Sequence, residues 1–247
     1  VYEGTKEPEC RILFPGTYDR PDAVYQIVEN APEPLGSTMK DLIERRLADP
    51  TLPMEEAFSQ HLKEEELELP AGQFALFMNS MYAVDAYVRD YFRKAALDAL
   101  LAEKLPVTVF GEGWEKYSCG DEHSLRREPA VPFALSFERI AKAHVLLNVS
   151  PIFNRGMHDR VPAGMANHAV VLTDENPYLR RTFTDGKELL FYSLEKPDTL
   201  CEQAERTLTD VRLREKIAAS AYETFEREYT WKRRAEQILA FAEEVEA

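Results

Sequence analysis

Short, continuous apolar runs recur along the chain, separated by longer segments whose apolar residues fall at three- and four-residue intervals. The runs predict buried strands at residues 11–14, 107–110, 145–149, 169–173 and 189–193, within "CRILFPGTY", "VTVFGEGWE", "HVLLNVSP", "AVVLTDENP" and "LLFYSL". The spaced segments predict helices. "PLGSTMKDLIERRLAD" carries a Ser37/Thr38 cap, and "MEEAFSQHLKEEELEL" and "GQFALFMNSMYAVDAYVRDYFRKAALDALLAEK" follow it as helical text. The aromatic stripe of the last segment reads as core packing, and the charged run Lys63 to Glu68 as a solvated helix face. Uninterrupted apolar strands alternating with helices indicate a Rossmann-like α/β fold, a parallel sheet with helices on both faces. On this reading residues 1–247 are a single domain with a helical insertion at about 21–104 and C-terminal helices at 197–246.

The polar positions collect where the strands end. Gly16-Thr17-Tyr18 follows the first strand, Gly111-Glu112-Gly113-Trp114 the second, Asn148 and Ser150 the third, and Thr173-Asp174-Glu175-Asn176 the fourth. Between the third and fourth strands lies "NRGMHDR", where Asn154, Arg155, Gly156, His158, Asp159 and Arg160 precede a small-residue helix. In an open parallel sheet, ligands bind beyond the carboxyl ends of the strands. A helix start there offers unpaired N–H groups and a positive dipole end. With Arg155 and Arg160 beside it, the stretch is a candidate pocket for phosphate or diphosphate. Each piece also has a structural explanation: Asp159 as a helix cap with Arg160 as its ion-pair partner, Gly111 and Gly113 as a tight turn.

Composition narrows the field. A formal net charge of −14 argues against a nucleic-acid or anionic-membrane surface, although a local basic pocket remains compatible with it. The three cysteines are far apart with no C-x-x-C pairing, which disfavours a disulfide framework or zinc site and fits a reducing cytoplasm. His158 and His168 lack a helical metal-ligand spacing, and no metal or other cofactor is expected. No apolar run is long enough for a transmembrane segment and no signal peptide opens the chain, which begins at Val1 and reads as part of a longer protein. No P-loop, G-x-G-x-x-G or G-x-S-x-G motif follows a strand. The residues alone lead to an α/β domain that binds a phosphorylated small molecule.

The succession "FGEGW", "NVSPIFNRGMHDRVPAGMANHAVVLTDENPYL", "DGKELLFYSL" and "YTWKRRAEQIL" resembles the C-terminal, donor-binding domain of GT-B glycosyltransferases, in the group-1 family of the spore-maturation-protein-like kind. The resemblance covers Val107 to Leu239, and "ILFPGTY" is similar to the strand that opens this domain. It implies a nucleoside-diphosphate sugar donor, with Gly16, Gly111, Glu112, Gly113 and Trp114 toward the nucleotide. Ser150, Asn154, Gly156 and Asp159 would lie near diphosphate and ribose, and Thr173, Asp174, Glu175 and Asn176 near the sugar. Arg160, then Arg155, with His158, would be the catalytic residues. The N-terminal domain of the same protein would be the facing partner; the acceptor, whether glycan, protein or lipid, stays open, within bacterial-type cell-surface glycan biosynthesis. The sequence departs from the family at the glutamate pair that many members carry, where Arg155 and Ala163 stand, and at a glycine replaced by His168.

Two other functions are compatible with the residues: a non-catalytic nucleotide-sugar-binding or interaction module on the same fold, and a sugar-nucleotide epimerase. Two further expectations follow from the resemblance. Arg160→Ala should weaken nucleoside-diphosphate binding about tenfold with thermal stability nearly unchanged. The last helix, which in the family packs across to the other domain, should be mobile or docked on a neighbouring copy.

Overall fold

The computed structural model describes residues 9–246. Its strands are β1 (Cys10–Pro15), β2 (Val107–Phe110), β3 (Leu125–Glu128), β4 (Ala143–Asn148), β5 (Val170–Asp174) and β6 (Leu190–Tyr192). They form one sheet in the order β3-β2-β1-β4-β5-β6. All five strand pairs are parallel, with Ile12 opposite Val107 on one side and Val145 on the other. The Rossmann-like α/β fold expected from the strand pattern is the fold observed.

Alternate strand residues point to opposite faces, and both faces are covered. Ile12, Phe14, Val109, Val145, Leu147, Val170 and Leu172 join one large core. It is completed by α1 (Pro21–Glu29), α2 (Leu35–Ala48), α3 (Met54–Glu64), α5 (Tyr82–Ala102) and α9 (Pro197–Thr209). Leu13, Leu146, Val171 and Phe191 point the other way. They pack under α6 (Phe133–Ala141), α7 (Arg160–Ala166), α8 (Pro177–Thr182) and α10 (Val211–Glu228). The first five helices, with α4 (Ala71–Ser80) among them, lie between β1 and β2, as expected of an insertion.

Three details differ from the sequence reading. β3 was not expected. Of "LRRE" only Leu125 is buried, so an edge strand with polar side chains leaves no apolar run to find. The long segment at 72–104 is two helices meeting at the buried Met81, because α4 buries none of its residues whereas α5 packs a full face into the core. The run 63–68 is solvent-exposed but helical only to Glu64; Glu66 takes a left-handed φ of 55° just beyond.

The last helix, α11 (Trp231–Glu246), touches its own domain mainly through α10. Trp231 is 90% exposed, and Ile238, Leu239, Phe241 and Val245 are also exposed. This helix therefore leaves its apolar side chains unburied rather than anchoring through Trp231 and Leu239. Among the described residues no helix is long and apolar enough to cross a membrane.

Candidate functional site

The backbone fixes the geometry first. At the ends of β1 and β2 the two following turns pass in direct contact: Gly16 N–H donates to Phe110 O at 3.0 Å and Tyr18 N–H to Glu112 O at 2.9 Å. Gly111 (φ +136°) and Gly113 (φ +86°) stand at the crossing, where a Cβ would lie 2.1 Å from Gly16 O and 1.9 Å from Tyr18 O. The indole of Trp114 locks the same crossing, donating from Nε1 to Gly16 O at 2.7 Å and stacking on Tyr18. Gly113 and Trp114 thus build the site from beneath; the Trp114 side chain is buried.

Above this crossing lies a cleft of about 460 Å³, a size suited to a small-molecule ligand. Gly16, Thr17, Gly111 and Glu112 form its floor. Val131, Phe133, Phe137 and Ile140 make an apolar wall, and His158, Asp159, Arg160 and Ala163 make the polar one. The cleft sits at the carboxyl ends of β1, β2 and β4. That is where the strand order reverses, the crevice in which open α/β sheets take their ligands.

Arg160 enters from the first turn of α7 and is buried. Its Nη1 donates to Asn148 Oδ1 at 2.7 Å and to Ser150 Oγ at 3.4 Å. Beneath it a polar network is closed on itself: Ser150 Oγ donates to Asn148 Oδ1, Asn148 Nδ2 to Thr173 Oγ1, and Tyr192 Oη to Asn148 O. Ser150 N–H donates to Asp174 Oδ1 at 2.8 Å. Thr173 and Asp174 are therefore supports of Arg160 rather than parts of the open cleft. The expectation that Arg160→Ala would leave thermal stability nearly unchanged gives way here, because its loss would strip the cation from a buried network.

A second guanidinium, missed in the sequence, lies beside it. Arg93 of α5 donates from Nη1 to Thr17 O, and its Nη2 lies 3.6 Å from the position a Cβ on Gly16 would occupy. Both cations stand by the Phe14 ring, at 5.9 Å for Arg93 and 5.7 Å for Arg160. The nearest carboxylate to Arg93 is Asp90 at 3.7 Å, and Arg93 Nε has no hydrogen-bond partner among the described residues. Burial first, and then repulsion by Arg160, pushes Arg93 down to about 9; burial also pushes Arg160 down to about 10. Guanidinium groups stay charged near neutrality regardless. An incoming anion would favour the charged form of both groups. A signal was present: Ala86, Asp90, Arg93 and Leu97 share the buried face of α5, and two charges at core-facing positions are rarely idle.

Helix α7 does not offer the N–H groups expected of it. Arg160 N–H lies 3.2 Å from His158 Nδ1 but donates to the Asp159 carboxylate, Val161 N–H donates to His158 O, and Ala163 N–H to Asp159 O. Residue 162 is proline and has no N–H. Positive charge here comes from side chains. His158 Nδ1 also lies 2.5 Å from Asp159 Oδ1, and this shorter contact sets the ring: Nδ1–H donates to the carboxylate and Nε2 keeps its lone pair. Burial holds the His158 imidazole below its ordinary value against the pull of Asp159, so the ring is neutral near pH 7; the His158 contact holds the Asp159 carboxyl down.

The remaining expected residues lie elsewhere. Arg155 is exposed and pairs with Glu56 of α3, away from Arg160. Asn154 is buried and donates to Pro50 O at 2.8 Å. Asn176 caps α8 through Leu179 N–H and donates to Phe153 O and Gly156 O. Gly156 lines a different pocket, and Glu175 pairs with Arg180. The polar stretch 154–160 therefore divides: its first half binds the loop to the insertion, and only its second half faces the cleft.

Burial pushes the Asp174 carboxyl up to about 7 from an ordinary 3.8, with Ser150 N–H and Arg160 pulling it back. The folded state thus holds a proton that the unfolded state releases between about pH 4 and 7. This stability contribution is complete below the lower value and is lost as pH rises to the upper one. Asp174→Asn should therefore melt progressively higher relative to the parent as pH goes from 4.5 to 7.5; parallel melting profiles would show that Asp174 titrates normally.

An open parallel sheet in this order, with its cleft at the reversal of strand order, defines the Rossmann-like ligand-binding class. The chain belongs to the glycosyl transferase-like family, whose family model matches residues 89–240. No curated protein sequence matches the chain. Among solved structures, HepE from Anabaena in complex with UDP-glucose is similar at 12% identity, with a TM-score of 0.52 over 62% of this chain and 44% of that one. A DNA-modifying β-glucosyltransferase, studied with and without uridine diphosphoglucose, is similar at 12% identity, with a TM-score of 0.51 over 98% of this chain and 53% of that one. TarM from S. aureus, in complex with fondaparinux, α-GlcNAc-glycerol and UDP, gives 10% identity and a TM-score of 0.50 over 62% of this chain and 32% of that one. At these identities the likeness is one of fold, and the chain spans from about a third to about half of each of these structures.

Proposed function

We propose that the cleft binds the nucleoside-diphosphate part of a sugar donor and that the chain serves transfer of the sugar to an acceptor hydroxyl. The observation that carries this reading is the pair of buried arginines converging on Gly16, with Nη2 atoms 3.2 Å (Arg160) and 3.6 Å (Arg93) from the place of its Cβ, at the ligand crevice of a glycosyl transferase-like fold. The diphosphate would lie over Gly16 and Thr17, with Arg160 and Arg93 meeting the charge that grows on it as the bond to the sugar breaks. That supply of charge calls for no metal. The base would rest on the Phe133–Phe137 wall. In the transfer step the acceptor oxygen bonds to the anomeric carbon, and the bond from that carbon to the diphosphate oxygen breaks. The diphosphate leaves with the electron pair, and the acceptor proton passes to His158 Nε2, whose ring Asp159 holds in place. The unpaired cysteines fit a reducing, cytoplasmic setting for such chemistry.

Calorimetric titration of UDP, GDP, TDP and CMP tests the reading. At least one diphosphate should bind and CMP should not; a flat panel would favour a non-catalytic interaction module. With the binding nucleotide's glucose conjugate as probe, His158→Gln should retain nucleotide affinity within about twofold while sugar release falls by about 100-fold. Equal release by both proteins would remove His158 from the proton transfer.

A further inference from the structure

The loop at 150–160 has a second side. His158 to Arg160 face the cleft, whereas residues 152–156 close a separate pocket of about 360 Å³ against the helical insertion. The wall between the two is the edge-to-face contact of the Phe153 and His158 rings, with centroids 5.1 Å apart. The pocket is held open by the fold itself. Asn154 ties the loop to Pro50 of the insertion, and Asn176 ties it to the start of α8 through Phe153 O and Gly156 O.

Arg46 of α2 lines this pocket while being only 1% exposed. Its Nη1 donates to Asp85, but its buried Nε has no partner among the described residues. That Nε is closed to solvent, so the accessible member of the couple is Asp85, whose side chain is 43% exposed. The charges around it balance: Arg46 and Arg155 against Glu55 and Asp85. The apolar share is Met54, Met78 and the half-exposed ring of Phe153. A strongly charged ligand would find no net attraction here. A neutral molecule with adjacent hydroxyls on one side and C–H groups on the other would satisfy both the guanidinium–carboxylate couple and the ring.

We infer that this pocket is the acceptor subsite and that it takes a sugar unit of a neutral glycan, one face on Phe153 and its hydroxyls on Arg46 and Asp85. The inference rests on the glycosyl-transfer reading and adds the class of acceptor to it. The family match begins at residue 89, so Arg46, Met54, Glu55, Met78 and Asp85 belong to a part of the chain outside it. A subsite built partly there, against the loop at 152–156, adds acceptor contacts from outside the matched region.

The test is saturation-transfer NMR of the chain with neutral di- and trisaccharides (maltose, cellobiose, lactose, chitobiose and maltotriose), alongside glucuronic acid, with inorganic phosphate titrated by calorimetry. At least one neutral saccharide should bind. Phe153→Ala and Asp85→Asn, both at partly exposed side chains, should each weaken it at least fivefold, Asp85→Asn without changing UDP or GDP affinity; Arg46→Lys should weaken it as well. Circular dichroism melting checks that each variant folds. Binding by glucuronic acid or phosphate alone, no binding by any neutral saccharide, or saccharide binding that both exposed-site variants leave intact would each overturn the inference. Failure of the donor reading is distinguishable: nucleotides then fail to bind the parent chain, whatever the saccharides do.

Discussion

Arg160→Ala should lower the thermal midpoint by about 5–10 °C, corresponding to roughly 2–3 kcal/mol for a chain of this size. The same change should weaken nucleoside-diphosphate binding by about tenfold to 100-fold. Both effects come from one placement. The guanidinium is buried, donates to Asn148 and Ser150, and lines the cleft above Gly16. Without it, Asn148 Oδ1 and the Asp174 region lose their cation, and the cleft loses one of the two charges proposed to meet the diphosphate. Affinity is to be measured well below the lowered midpoint, so that unfolding does not imitate weak binding. An unchanged midpoint would contradict the buried network, and an unchanged affinity would remove Arg160 from the phosphate site. Arg93→Ala offers the matching comparison, since Arg93 reaches the β1 turn through Thr17 O from a different element.

Gly111→Ala should be the more damaging substitution, costing upward of about 3 kcal/mol and leaving little folded protein at 37 °C. A methyl group there would sit 2.1 Å from a backbone oxygen, not from a side chain that can swing aside, and at a φ of +136° that alanine resists. Relief would require the β1 and β2 turns to separate, which breaks the Tyr18 to Glu112 hydrogen bond and unseats the Trp114 indole from Gly16 O. Gly120→Ala is the control, because nothing lies within 4 Å of a Cβ at that position. Differential scanning calorimetry of the two proteins decides the matter; similar midpoints would mean that the crossing tolerates more space than its geometry allows.

The sequence by itself determined the sheet and its coverage. Five strands announced themselves because a strand buried on both faces must be apolar throughout, and the helices between them because one face of each must be apolar at helical spacing. It also determined that polar, glycine-bearing turns gather at the strand ends, since the cleft floor needs Gly16 and Gly111 and its wall needs His158, Asp159 and Arg160. β3 escaped because an edge strand is held by backbone pairing to β2, and "LRRE" needs to bury little more than Leu125 to take part. Only the tertiary structure decided which polar groups meet. Arg155 and Arg160 are neighbours in the chain, yet one turns to Glu56 and the other to Asn148. Arg93 reaches the end of β1 across a sequence separation of 76 residues. Solvent contact imposes a period on the sequence, one residue at a time. The convergence of two arginines on one glycine depends on where α5 and α7 dock against the sheet, and no local pattern encodes that.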